Sequence, residues 1–166
     1  MAFVSSISRA ERDDLEMALC DLLVPLADAA ARPAIYSAVG SEISLACLAR
    51  FSPAFPAFSS RDAPMVFRSG TCAEDSPWGG VQPPRHAKEI IPDLVFVPLL
   101  AVDPRGHRLG QGGGHYDRAL PALRAAGATL IGVGWAMQRI ETDLPDQPWD
   151  VALDGFASPE GLEMFR

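Results

Sequence analysis

Lysine is nearly absent from this chain: among fourteen basic residues only Lys88 is a lysine. That excludes a Walker A phosphate loop, which needs Gly-Lys after a glycine, because Lys88 follows Ala87. Charge chemistry therefore falls to arginine, which stays protonated and grips phosphate or carboxylate with two parallel donors. Cysteine is scarce too. Cys20, Cys47 and Cys72 are scattered, odd in number and form no C-x-x-C pair. Neither a disulfide framework nor a zinc ribbon is expected from them, and they read as reduced small hydrophobes in or near a core. His86, His107 and His115 also lack metal-ligand spacing. No apolar run approaches the roughly 18 residues of a membrane span. The start, MAFVSSISRAERDD, lacks the basic-then-apolar order of a secretory signal, so a cytoplasmic protein without membrane attachment is expected. With 21 acidic against 14 basic residues and a formal charge of −7, a cationic face for nucleic acid is not expected either.

What is present suits one domain, residues 1–166, with a sizeable core: 166 residues, 48% of them apolar. Ser8 followed three residues later by Glu11 is a capping-box signature, and Leu15, Leu19, Leu22, Leu23 and Leu26 then recur at helical spacing. Pro25 is expected to kink or stop that helix. Pro33 to Val39 reads as a short buried strand, and Ser41 to Arg50 as a second helix with Glu42 at its N-terminus. Met65 to Arg68 is a candidate strand, Trp78 to Gly80 a turn, and Leu94 to Leu100 a strand covered on both faces. Tyr116, Leu120 and Leu123 share a helical face, with Pro121 as a point where that helix splits and Gly127 as its C-terminal cap. Thr129 to Val133 reads as another buried strand, and Ser158-Pro159 as the opening of a last short helix. Alternating helices and strands predict an α/β fold, a Rossmann-like three-layer sandwich with a mainly parallel sheet.

The informative segment is Val97 to Leu120, VPLLAVDPRGHRLGQGGGHYDRAL. A strand runs into a loop holding Gly110, Gly112, Gly113 and Gly114, and a helix begins just beyond. Glycine lets the main chain take positive φ and approach a ligand closely. Successive N–H groups can then converge on an oxyanion at the positive end of the helix. Between Pro104 and Arg118 three arginines (Arg105, Arg108, Arg118) stand against Asp117, a local charge of +2 on an acidic chain. The dinucleotide fingerprint G-x-G-x-x-G fails, because counting from Gly110 its third glycine is His115. A carboxylate just past such a cradle, Asp117, is placed to hold Mg²⁺, or is simply a charge in the first turn of a helix. Arg118 reads as a structural partner of Asp117 or Glu42. Of the tryptophans, Trp135 is the pocket-wall candidate, ahead of Trp78 and Trp149.

The string RLGQGGGHYDRAL resembles the signature of the 5-formyltetrahydrofolate cyclo-ligase (methenyltetrahydrofolate synthetase) family, Arg-Leu-Gly-x-Gly-x-Gly-Tyr-Tyr-Asp-Arg. IYSAVGSEI, MVFR, WGGVQPP and IGVGWAMQRIETDLPDQPWDVALDG resemble further family segments in the same order. The resemblance implies closure of the 5-formyl group of 5-formyltetrahydrofolate onto a neighbouring nitrogen, in one-carbon folate metabolism, with ATP and Mg²⁺ as co-substrate and cofactor. It implies an ATP-contacting loop of Arg108, Leu109, Gly110, Gln111, Gly112, Gly113, Gly114, His115 and Tyr116. Its Gln111 to His115 portion also faces folate. Arg108 is the residue expected to stabilise charge on the transferring phosphoryl group. Asp117 and Asp150 resemble the Mg²⁺ carboxylates, and Glu42 the folate-pocket glutamate. A monomer acting on small molecules is expected.

Three departures from the family accompany the likeness. Its basic N-terminal helix, typically Lys-x-x-Leu-Arg, has no counterpart here, with Arg9 and Arg12 as the only candidates. Gln111 and His115 stand where aromatic or basic residues are frequent. Gln82 replaces the glutamate of the Glu-Pro turn. The missing basic helix motivates a second reading, a catalytically silent homologue that binds folate or a nucleotide. A third is a different enzyme on a related scaffold, such as a sugar-phosphate isomerase or CoA transferase.

Overall fold

A computed structural model describes residues 7–165. Helix α1 spans Arg9–Ala29 and opens on the expected capping box. Ser8 Oγ accepts from the Glu11 N–H at 3.2 Å while the Glu11 carboxylate accepts from the Ser8 N–H at 2.7 Å. The helix runs through Pro25 rather than stopping there. That proline is exposed, so its ring meets solvent, and only one backbone rung is lost while Leu23 and Ala27 on either side stay packed.

Seven strands form the main sheet: β1 (Pro33–Ala34), β2 (Ala54–Ala57), β3 (Val66–Ser69), β6 (Leu94–Pro98), β9 (Thr129–Val133), β10 (Gly155–Ser158) and β11 (Gly161–Met164). Two small hairpins lie between them, β4 (Glu74–Asp75) with β5 (Val81–Gln82), and β7 (Ala101–Val102) with β8 (Arg108–Leu109). The order across the sheet is β11-β10-β9-β6-β1-β2-β3. The five inner strands are parallel and the two edge strands antiparallel, as the α/β reading expects. Alternation along β6 explains its near-continuous apolar run. Leu94 and Phe96 join the core cluster built on Leu19, Leu23 and Ala27 of α1. Val95 and Val97 join the opposite cluster, with Leu120 and Leu123 of the second helix α2, His115–Ala125. The sheet thus lies between the two helices, and α2 continues unbroken through the exposed Pro121.

Several local expectations are corrected. The strand expected over Pro33 to Val39 is confined to Pro33–Ala34. No helix forms over Ser41 to Arg50; a short 3-10 helix, Ala46–Phe51, takes only its end. The reason is competition for the backbone. Arg12 donates to Glu42 O at 2.7 Å, Tyr36 Oη to Ile43 O at 2.7 Å and Trp135 Nε1 to Ser41 O at 2.9 Å, while Ser44 N–H donates to Glu16 at 3.0 Å. Ser158-Pro159 opens the β10–β11 turn instead of a helix, with Ser158 Oγ accepting from Glu160 N–H at 3.2 Å. Cys20 and Cys47 are joined as a disulfide, with Cα atoms 6.3 Å apart, whereas Cys72 is free. Their 27-residue separation leaves no spacing signature, because tertiary packing of α1 on the 3-10 helix brings them together.

Candidate functional site

The β7–β8 hairpin delivers the first residue of the site. Its turn, Asp103-Pro104-Arg105-Gly106, has aspartate first, proline second and glycine fourth, the order a type I turn favours. The fully buried Asp103 carboxylate accepts from the N–H groups of Arg105, His107 and Leu144 at 2.9, 2.8 and 3.0 Å. Burial raises this carboxyl, but those three donors outweigh it and hold it below the ordinary range. Gly106 is required at φ +82°, where a Cβ would also lie 2.7 Å from Leu153 O. Arg105 spends its charge here, on Asp103, Asp143 and Asp146, so it adds nothing to the glycine loop's positive field.

Just beyond, Arg108 to Asp117 in one continuous run, together with Glu42 and Asp150, line a single cavity of about 410 Å³. The residues that the resemblance implies for nucleotide, folate and metal are therefore brought together, whereas Trp135, Arg105 and Arg118 do not line the cavity. The Arg108 side chain is 6% exposed and donates to the Asp117 carboxylate, whose side chain is 54% exposed. Burial disfavours the guanidinium charge, while Asp117, Tyr116 and Asp150 favour it. Asp150 accepts from Gln147 N–H at 2.8 Å, so it is a turn carboxylate as well as a cavity residue. Asp117 and Asp150 offer oxygen donors of the kind Mg²⁺ prefers, next to a helix N-terminus that favours phosphate. No group of three or more metal-ligating side chains occurs among the described residues, so this pair leaves most positions on such an ion to phosphate oxygens and water.

Across the cavity Glu42 Oε2 accepts from Val39 N–H and Oε1 from the Gln111 side-chain amide, both at 2.8 Å. Burial raises the Glu42 carboxyl, against which these two donors pull. Tyr116, at the start of α2, has a hydroxyl without a hydrogen-bond partner among the described residues. Burial first, then Glu42, pushes this phenol upward, so it remains a proton-bearing donor.

Arg118 makes no side-chain ion pair with Asp117 or Glu42 among the described residues, correcting that expectation: its Nη2 reaches Gly113 O at 3.2 Å and His115 Nδ1 at 3.1 Å. Guanidinium only donates, so Nδ1 accepts and the His115 proton belongs on Nε2. Two of the loop glycines serve this arrangement. A Cβ at Gly113 would stand 2.9 Å from His115 Nε2, and one at Gly114 would stand 2.9 Å from Arg118 Nη1.

Sequence reasoning missed the aromatic wall. His115 sits between Phe58 and Trp78, with ring centroids 4.8 and 4.4 Å away, and Tyr36 and Met65 also line the cavity. Trp135, the expected wall, is instead buried beneath the Ser41 carbonyl, and Trp149 is exposed. Only the Trp-Gly-Gly turn hinted at Trp78: Gly79 and Gly80 at positive φ fold it back. Gln82 is buried and clasps Phe58, accepting from its N–H and donating to its carbonyl, both at 2.9 Å.

Comparison with known proteins gives a consistent answer. The sequence model of the 5-formyltetrahydrofolate cyclo-ligase family matches residues 52–159. A 5-formyltetrahydrofolate cyclo-ligase of Haemophilus influenzae is 34% identical over 87 residues, 50% of this chain and 46% of that one. The chain thus spans about half the length of the curated relatives it matches. In structure it resembles the 5,10-methenyltetrahydrofolate synthetase of Aquifex aeolicus, with TM-score 0.80 at 23% identity over 96% of this chain and 86% of the other. The corresponding enzyme of Mycoplasma pneumoniae gives 0.70 at 22%, over 95% and 93%. At that identity the two solved structures establish the fold.

Proposed function

The chain belongs to the 5-formyltetrahydrofolate cyclo-ligase family, and on that premise we propose that it cyclises 5-formyltetrahydrofolate to 5,10-methenyltetrahydrofolate at the expense of ATP. The observation that carries this reading is the convergence of Arg108 to Asp117, Glu42 and Asp150 on one cavity. A formamide oxygen is a poor leaving group. In the proposed reaction the γ-phosphoryl group passes to it, the folate N10 attacks the activated carbon, and phosphate departs. No protein nucleophile is needed, so the task is to position two substrates and offset charge.

This chain's residues suit that task. Loop amides at the start of α2 hold phosphate oxygens, and Arg108, buried beside them, faces the transferring group. Glu42, when ionised, accepts N–H donors of the pterin in place of Gln111. Phe58, Trp78 and His115 form the apolar wall beside the folate. Asp117 and Asp150 would hold Mg²⁺, which offsets phosphate charge when bound. The test is spectrophotometric. Purified protein should raise the absorbance of the methenyl product from 5-formyltetrahydrofolate only when ATP and Mg²⁺ are both supplied. A folded protein that does not turn over under those conditions refutes the assignment.

One observation favours the second reading, a folate-binding homologue without turnover. Arg12, one of two candidates for the basic N-terminal charge, is committed to Glu16 and to Glu42 O. Calorimetry separates the two, since folate binding without ATP binding supports the silent module.

A further inference from the structure

The reaction proposed above makes no use of Cys20 and Cys47. We propose that these residues form a reversible thiol–disulfide site, entered at Cys47 by small thiols, whose state sets how firmly the segment carrying Glu42 is held. Arg12, Glu16 and Cys20 stand four residues apart along α1, so they share one stripe of that helix. All three fasten the same stretch of chain. Arg12 holds Glu42 O, Glu16 holds the Ser44 N–H, and Cys20 is bonded to Cys47. The first two tethers are hydrogen bonds to a segment without regular structure, and the third is covalent. The closed loop it makes contains Tyr36, Glu42 and the other pocket residues of this stretch.

The two ends of the bond differ in access. Cys20 is 7% exposed, whereas Cys47 is exposed in the short 3-10 helix. A thiolate therefore has readier access at the Cys47 end of the bond than at the Cys20 end. Attack by one thiolate forms a mixed disulfide on Cys47 and releases Cys20, which takes up a proton. A second thiolate attacks the outer sulfur of that mixed disulfide, leaving Cys47 as a thiol and the two reagent molecules joined. Two thiols are oxidised for one protein disulfide reduced, and glutathione disulfide drives the reverse. Cys72 does not compete, because burial pushes its thiol up to about 11 and suppresses its thiolate.

The experiment compares the full chain equilibrated with oxidised glutathione and with dithiothreitol. Peptide mass spectrometry after alkylation reads the Cys20–Cys47 link, and hydrogen exchange reads residues 39–48. Oxidation should form the link under native conditions, and dithiothreitol should break it without unfolding. In the reduced form the segment should exchange on the order of tenfold faster, as expected when a local opening loses one of its tethers. Cys47→Ser, at the exposed end, should match the reduced form in both buffers, while Cys72→Ser should keep the full response. The proposal is overturned if the link does not form, if it resists dithiothreitol in the folded protein, or if exchange over 39–48 is the same in both states. Exchange is read without substrate, so a lack of turnover in both states would count against the folate reading and leave this one standing.

Discussion

Arg108 and Asp117 neutralise each other across the mouth of the cavity, the buried guanidinium donating to a carboxylate that is itself half exposed. An acid held this way keeps solvent access for a cation while its arginine stays fixed in a dry position. If Asp117 carries Mg²⁺, Asp117→Asn should raise the Mg²⁺ concentration for half-maximal turnover by at least about tenfold, the scale on which weakened metal shells lose affinity. Affinity for 5-formyltetrahydrofolate, measured by calorimetry without nucleotide, should stay within about twofold, well under 1 kcal/mol. Equal loss of both would remove Asp117 from the metal role.

Glu42 gives a pH signature with two opposite arms. Its carboxyl is raised in the fold, first by burial, so the native state holds its proton to a higher pH than the unfolded chain does. Its contribution to stability is present below the ordinary glutamate value and is lost as pH rises through the folded one. Under the proposed role, folate binding needs the ionised form, so affinity should instead fall as pH drops through that same raised value. Denaturant melts and calorimetry at stepped pH check both arms. Glu42→Gln should flatten each of them, and a binding profile unchanged by the substitution would exclude Glu42 as the titrating group.

The glycine loop separates into positions with different demands. Gly114 has φ +63° and faces Arg118, whereas a Cβ at Gly110 would meet nothing within 4 Å and its φ is ordinary. Gly114→Ala should cost about 1–2 kcal/mol, since an L side chain is strained there and the guanidinium must move. Gly110→Ala should stay within about 0.5 kcal/mol, as for an unconstrained surface site. Urea titrations of the two variants distinguish them. Equal costs would mean that positive φ is not what the loop selects.

How much of this was legible in the sequence depended on how local each cause is. Ser8 and Glu11 satisfy each other within three residues, and β6 and β9 carry apolar runs that any covered strand needs, so these elements were readable. The site run from Arg108 to Asp117 was readable because its glycines and charges are contiguous. The segment around Glu42 was not, because its backbone partners, Arg12, Glu16 and Trp135, lie far away in sequence. The same holds for the Cys20–Cys47 link and for the exchange of roles between Trp78 and Trp135. Arg105 shows the limit from the other side. It sits three residues from Arg108, yet the turn aims it at Asp103, Asp143 and Asp146.

Gln82 stands where the resemblance leads one to expect a glutamate, and its geometry says what that amide does. With 3% of its surface exposed, it donates from Nε2 to Phe58 O and accepts at Oε1 from Phe58 N–H. A carboxylate can accept the second bond but cannot donate the first, and it would face a carbonyl oxygen away from water. Gln82→Glu should therefore destabilise the protein by about 2 kcal/mol or more at neutral pH, the cost of a buried polar group set against a like partner. Protonation restores a donor, so the deficit should shrink as pH falls and grow as it rises, the mark of a carboxyl raised by burial. Phe58 packs on His115 and lies near Trp78, so the same change should loosen the aromatic wall and weaken folate binding while leaving ATP binding intact. Urea melts at pH 5 and pH 8, with calorimetry for each ligand, test both claims. A variant as stable as the parent at both pH values would show that the glutamine is not holding Phe58.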